Sequence, residues 1–178
     1  MTAKLDTALK SCQLQLADIQ ANQNCGEYVW RIKNWKETLK QASSKTDQEI
    51  CSDVFFSHKN GYKMYLELIP NNKNCISLYV CFTKGEYDNI LKWPFRDGVN
   101  FELINQQSGL THTSRTKKYE DCKSHVAWTK PSSERKPTGV GFDDFIELSE
   151  LYSNSALTSN DEIMIKATLV FSSESNLI

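Results

Sequence analysis

The sequence predicts an all-β domain, an antiparallel sandwich or barrel, preceded by a short helical stalk. Three observations carry this. From Tyr28 onward the apolar residues recur with a period of two, the mark of strands with one buried face. No long helical pattern separates these segments, so neighbouring strands are antiparallel rather than joined by crossover helices. The first 23 residues differ in kind: they contain no Gly, Pro or aromatic residue, and their apolar side chains recur at heptad spacing.

Taken in order, Leu5, Leu9, Cys12, Leu16 and Ile19 are separated by four, three, four and three residues and line one seam of a helix over residues 1–23. We read this as the end of a coiled coil, with a helix docked on the domain's own core as the alternative. So few heptads hold subunits together weakly, because short helices are marginal in water. Asn22 to Gly26 forms the helix stop, and the sandwich domain is assigned residues 24–173, with 174–178 as a tail. Tyr28, Trp30 and Ile32 form the first strand face, and a polar stretch with one helical turn, Trp35 to Ser44, follows. Tyr62, Met64, Leu66 and Leu68 face the core, which turns Lys63, Tyr65, Glu67 and Ile69 outward. Ile76, Leu78, Val80 and Phe82 form the next face. Val99, Phe101 and Leu103 form another, and Ile163, Ile165, Ala167, Leu169 and Phe171 the last. Thr111 to Lys123 and Lys130 to Thr138 read as surface loops.

A chain of 178 residues fits one domain with a short appendage, and 39 % apolar residues suffice for a packed interior. With 21 basic against 22 acidic residues, the net charge of -1 lacks the footprint of a nucleic-acid binder. The longest nearly apolar run, Cys75 to Phe82, is far short of the roughly 20 residues that cross a bilayer. Neither nucleic acid nor membrane insertion is expected. No secretory signal is legible at the N-terminus. Six cysteines without a CxxC pair, spread through apolar segments, and the absence of an Asn-x-Ser/Thr sequon point to free thiols and a cytoplasmic location.

The inventory for catalysis is thin. His58, His112 and His125 are far apart and belong to no ligand cluster. The seven glycines form no phosphate loop. Asp143 and Asp144 are neighbours in a strand, so they point to opposite faces and cannot share a site. No metal, no cofactor and no enzymatic activity are expected. Gly139-x-Gly141 permits close approach of another backbone, as at a bulge or a peptide contact.

The most particular segment is KGEYDNILKWPF, residues 84–95. Lys84-Gly85 ends a strand, Glu86 to Leu91 makes a compact crossing, and Trp93-Pro94-Phe95 plugs large rings beneath it. This wording resembles the C-terminal TRAF or MATH domain of the tumour-necrosis-factor receptor-associated factors. The resemblance extends to GEYVWRIKNW at 26–35, GYKMYLEL at 61–68, ISLYV at 76–80, VNFELINQ at 99–106 and DEIMIKATLV at 161–170. It implies an eight-stranded antiparallel β-sandwich and a homotrimer, with the heptads in the place of the family's coiled coil. It also implies a non-enzymatic signalling adaptor that binds short extended peptides of receptor cytoplasmic tails, or cytosolic signalling proteins, along a sandwich edge. The RING and zinc-finger modules that attach ubiquitin in family members have no counterpart in these residues. The alternatives are an oligomerisation scaffold with a vestigial cleft, or the substrate-recruiting module of a larger ubiquitin-system enzyme.

The resemblance assigns the peptide site residue by residue. Glu67 stands where the family usually carries an arginine that meets an acidic or aromatic ligand residue, Ile69 where it carries a tyrosine, and Lys73 where it carries an aspartate. A glutamate repels a carboxylate, so the usual acidic motif is disfavoured. The family's ligand-binding serine run is replaced by Val126, Ala127 and Trp128, which suggests an apolar cleft. The edge that pairs with peptide aligns with Thr138, Gly139, Val140, Gly141 and Phe142. Phe142 is either a pocket wall or core.

Overall fold

The computed structural model describes residues 2–23, 26–44, 48–133 and 136–172. Helix α1 spans Thr2–Gln23, uninterrupted because nothing in it breaks the backbone ladder. Its seam side chains Leu5, Leu9, Cys12, Leu16 and Ile19 are all exposed, so the helix does not lay that stripe on its own domain. Gly26 then redirects the chain at φ 75°, with its N–H bonded to the Phe56 carbonyl and its own carbonyl accepting from Leu169 N–H. A side chain there would be strained by the backbone angle alone.

Strand β1, Glu27–Lys33, buries Tyr28 and Ile32 and leads into helix α2, Trp35–Ser44. The sequence suggests only one turn here, yet α2 runs for ten residues. Trp35, Leu39 and Ala42, at i, i+4 and i+7, give it an apolar stripe. Asp161 Oδ1 accepts from Lys36 N–H at 2.9 Å and satisfies a donor at the helix start.

Two short pieces, β2 (Ile50–Cys51) and β3 (Phe55–Phe56), both pair with β4 (Lys63–Asn72). A left-handed turn at Lys73 and Asn74, φ 50° and 67°, joins β4 to β5 (Cys75–Phe82). The rest are β6 (Gly98–Ile104), β7 (Thr111–Lys118), β8 (Gly139–Glu147), the helix α3 (Leu148–Ser153) and β9 (Glu162–Val170). One sheet has the order β1-β9-β6-β7 and the other β2-β4-β5-β8, with β3 beside β4. Every pairing is antiparallel. Counting β2 and β3 as one interrupted edge gives the eight-stranded sandwich among the described residues.

The two sheets enclose one core. Leu66, Leu68, Ile76, Leu78 and Val80 of one meet Val99, Phe101, Leu103, Ile163 and Ile165 of the other, all fully buried. At one end Tyr62, Phe82, Trp93, Phe95 and Trp128 form a ring cluster, with Phe95 stacked on Trp128 at 5.9 Å. Such pairs add about 0.5–1.5 kcal/mol each beyond their buried area. The 84–95 segment packs as a compact crossing: Asp88 is buried, accepting from Gly85 N–H through its carboxylate and from Trp93 Nε1 through its carbonyl.

Three expectations are corrected. Thr111 to Lys118 is a strand, not a loop, because an edge strand with no apolar residue still completes a ladder with β6. Ser77 and Cys81, which alternate with the core-facing Ile76, Leu78 and Val80 and are expected outward, are also buried, Ser77 Oγ donating to the Asp143 carbonyl. Phe171 lies past the end of β9 and is 56 % exposed. No helix of the described chain is long and apolar enough to cross a membrane.

Candidate functional site

Sheet order fixes where a partner strand can add. β8 pairs with β5 on one side, and on its other side it meets no strand among the described residues. β7 is likewise the last strand of the opposite sheet. The two edges form the lips of one flank, tied where Arg115 Nη1 donates to both the carbonyl and the Oδ1 of Asp144, the latter at 2.9 Å.

The start of β8 runs so close to β5 that glycine is needed. A Cβ on Gly141 would stand 2.0 Å from the Leu78 carbonyl oxygen, and one on Gly139 would stand 2.7 Å from Tyr79 Cβ. The step in register between Ile76 and Leu78 marks the same irregularity. As a result the outer face beside Tyr79 carries no β8 side chain at these two positions.

Register sets the neighbours on that face. Cys51, Glu67, Tyr79 and Gly141 lie in one row across β2, β4, β5 and β8, and Tyr65, Cys81 and Gly139 lie in the next. Tyr79 OH donates to Asp143 Oδ1 at 2.7 Å, and Ser77 Oγ donates to the Asp143 carbonyl at 2.6 Å. Burial pushes the Tyr79 hydroxyl and the Cys81 thiol up to about 12, so both are neutral at ordinary pH and Cys81 is no nucleophile.

Glu67 departs from the sequence expectation of an open contact residue. It points outward but is only 9 % exposed. Its Oε2 accepts no hydrogen bond and lies 3.7 Å from Lys136 Nζ, which is itself bonded to Glu49. Desolvation, and then the Glu49 charge, raise the Glu67 carboxyl above its usual range, with Lys136 opposing. Ile69 is half-buried opposite Ser77.

Phe142 is neither core nor free wall. It is half-buried, edge-on to Phe101 at 6.1 Å, and covered by the Arg115 guanidinium at 3.9 Å and the Lys117 ammonium at 4.6 Å. Val140 is buried in the core, so only its backbone faces the flank. Thr138 is exposed. Of the three residues replacing the serine run, Val126 is 37 % exposed, whereas Ala127 and Trp128 are corrected to core. They sit in a 3-10 turn that points the Trp128 ring inward, with Nε1 donating to Cys122 Sγ at 3.3 Å.

Other chemistry does not converge. His58 pairs with Ser57, His112 with Glu150, and His125 Nδ1 accepts from Ala127 N–H. Among the described residues no three His, Cys, Asp or Glu side chains gather as a metal site, and Cys12, Cys51, Cys75, Cys81 and Cys122 are free thiols. Cys25 lies outside the described residues. Asp143 and Asp144 face apart, toward Tyr79 and Arg115. A second concavity of about 680 Å³, walled by Tyr62, Trp93, Phe95 and Phe171, lies near the Ser57 end of the sandwich, where α1 hands over to β1.

Alternation placed Glu67 and Tyr65 on one face. It carried no signal for Lys136 and Glu49, whose contact joins segments 87 residues apart, nor for Arg115, which lay in an assumed loop.

Two antiparallel sheets, with the β8 edge unpaired among the described residues and carrying Gly139 and Gly141, define a β-sandwich domain with a free strand edge. The MATH-domain family model matches residues 27–169, and the chain belongs to that family. It is 27 % identical over 172 residues to TNF receptor-associated factor 6 of Xenopus tropicalis and 26 % identical over 182 residues to that of Bos taurus. Each alignment covers 93 % of this chain but 31 % and 33 % of the relative, so the chain spans about a third of their length. In fold it matches Notothenia coriiceps TRAF5 with a TM-score of 0.78 at 21 % identity, covering 96 % of this chain and 87 % of that one.

Proposed function

We propose that the chain is the peptide-binding and oligomerising part of a cytoplasmic signalling adaptor. An extended segment of a receptor cytoplasmic tail or a cytosolic signalling protein adds as a strand to β8, along residues 138–142. The observation that carries this is the edge of β8, unpaired among the described residues, where Gly139 and Gly141 present backbone without side chains. Backbone groups supply affinity, while Glu67, Ile69, Tyr79, Val126 and Phe142 supply selectivity. With Glu67 in place of an arginine, apolar or basic-flanked ligands are favoured over acidic ones.

Strand addition at one short edge is weak. The exposed seam of α1 supports assembly of copies, as a trimer by family resemblance, so that a clustered receptor is held by avidity. The test is a titration of receptor-tail peptides against wild type and Glu67→Arg, with an N-methyl scan of the tightest binder. Blocking alternate peptide amides should weaken binding by about tenfold or more, with intervening positions tolerated. A uniform response along the peptide, or wild-type preference for acidic motifs, overturns the reading.

A further inference from the structure

We propose that the Glu67 and Glu49 carboxylates form a subsite for a lysine or arginine side chain of the bound peptide, which Lys136 fills in the free protein as an internal stand-in. This rests on the peptide-edge reading and names the chemistry of one of its positions.

The geometry is that of a site short of one cation. Glu67 is held by β4 between Cys51 and Tyr79; it is 9 % exposed, and Oε2 is buried without a hydrogen bond. Its cation, Lys136 Nζ, stands 3.7 Å away, beyond hydrogen-bond length, because it is committed to Glu49. One ammonium thus serves two carboxylates, and a buried carboxylate gains most from a partner that bonds it directly. The third acid of the face, Asp143, is engaged by Tyr79 OH.

Lys136 is suited to yield. Its side chain is 62 % exposed, so release returns the ammonium to water, and exposed ion pairs hold weakly. It also shows that the position is reachable, since it projects from the backbone just before β8 and still arrives at Glu67 on β4. A ligand side chain laid along that edge meets no side chain at Gly139 or Gly141 and has to pass Tyr79 of β5, which stands between Gly141 and Glu67 in the same row. A guanidinium, with five donors in a planar fork, can bond both carboxylates at once.

The test uses the full chain and an array of fluorescein-labelled decapeptides of alternating leucine and alanine, with Lys, Arg, Gln or Glu substituted at each position in turn. Wild type should bind the Lys and Arg members about fivefold or more tightly than the Gln members at one position. Lys136→Met should tighten those cationic members by roughly three- to tenfold and leave Gln members within about twofold. Glu67→Gln should erase the preference while Gln members still bind, and Glu49→Gln, at a more exposed position, should reduce it. Equal binding of Lys and Gln members, a preference that survives Glu67→Gln, or a uniform loss in Lys136→Met would overturn the subsite and leave strand addition standing. Failure of every member to bind wild type would sink both.

Discussion

Arg115 of β7 reaches across the open flank to Asp144 of β8, bonding its carboxylate at 2.9 Å while its guanidinium lies 3.9 Å from the centre of the Phe142 ring. The two sheets are therefore clasped at the flank where a partner is proposed to enter. The exposed ion pair contributes about 0–1 kcal/mol and the stack on Phe142 about 0.5–2 kcal/mol. Arg115→Ala should cost about 1–2 kcal/mol by urea unfolding at neutral pH, and Asp144→Ala less. Arg115 holds the Asp144 carboxyl below its ordinary value. A depressed carboxyl stabilises above its unfolded-state pKa, and that contribution goes as pH falls through the lowered folded-state pKa. The difference between wild type and Asp144→Ala should shrink in acid.

Glu67 gives the opposite sign. Its folded-state carboxyl is raised, chiefly by desolvation, so between the unfolded and folded values the native state binds more protons and stability falls as pH rises. Above that window the ionised form carries the full penalty. Glu67→Gln should therefore unfold at an equal or higher urea concentration than wild type at pH 7, with the gap closing at pH 4. A clear loss of stability at pH 7 would show that the Lys136 interaction outweighs desolvation.

Burial separates the neighbours Val126 and Trp128. Trp128 has no exposed surface and stacks on Phe95 at 5.9 Å, so Trp128→Ala should cost about 3–5 kcal/mol, a large part of a typical domain's stability. Val126→Ala, at a side chain 37 % exposed, should cost much less, about 0.5–1 kcal/mol in unfolding. If it contributes to ligand selectivity, it should change peptide binding instead.

The stalk offers a chemical reporter. Cys12 lies on the exposed α1 seam, so helices paired in parallel register would bring Cys12 of one copy beside Cys12 of another. A short bis-maleimide should give covalent dimers on denaturing gels from wild type and few from Cys12→Ser. Equal cross-linking in both would place the reaction at another thiol, such as the exposed Cys51, and count against the seam.

How much was legible follows from burial. β4, β5, β6 and β9 announce themselves because one face of each is packed in the core, which forces apolar residues into alternation. β7 is silent for a physical reason: Thr113, Arg115 and Lys117 lie opposite Leu103, Phe101 and Val99 and share their face, but at the sheet margin long cationic side chains cover apolar surface with their stems. β2 and β3, at two residues each, are too short to show any period. The edge at 138–142 and the outward face of Glu67 were readable from local pattern and resemblance. The Lys136 and Glu49 contact was not, because tertiary folding alone brings those segments together.

The interrupted β2 and β3 margin governs how this sheet can meet others. A sheet with two long free margins can extend indefinitely, copy upon copy. Here one margin is broken into two-residue fragments that offer a newcomer little continuous ladder, so growth is confined to the β8 side. Two copies meeting through β8 would pair edge to edge and leave only the β2 and β3 fragments to extend that sheet further.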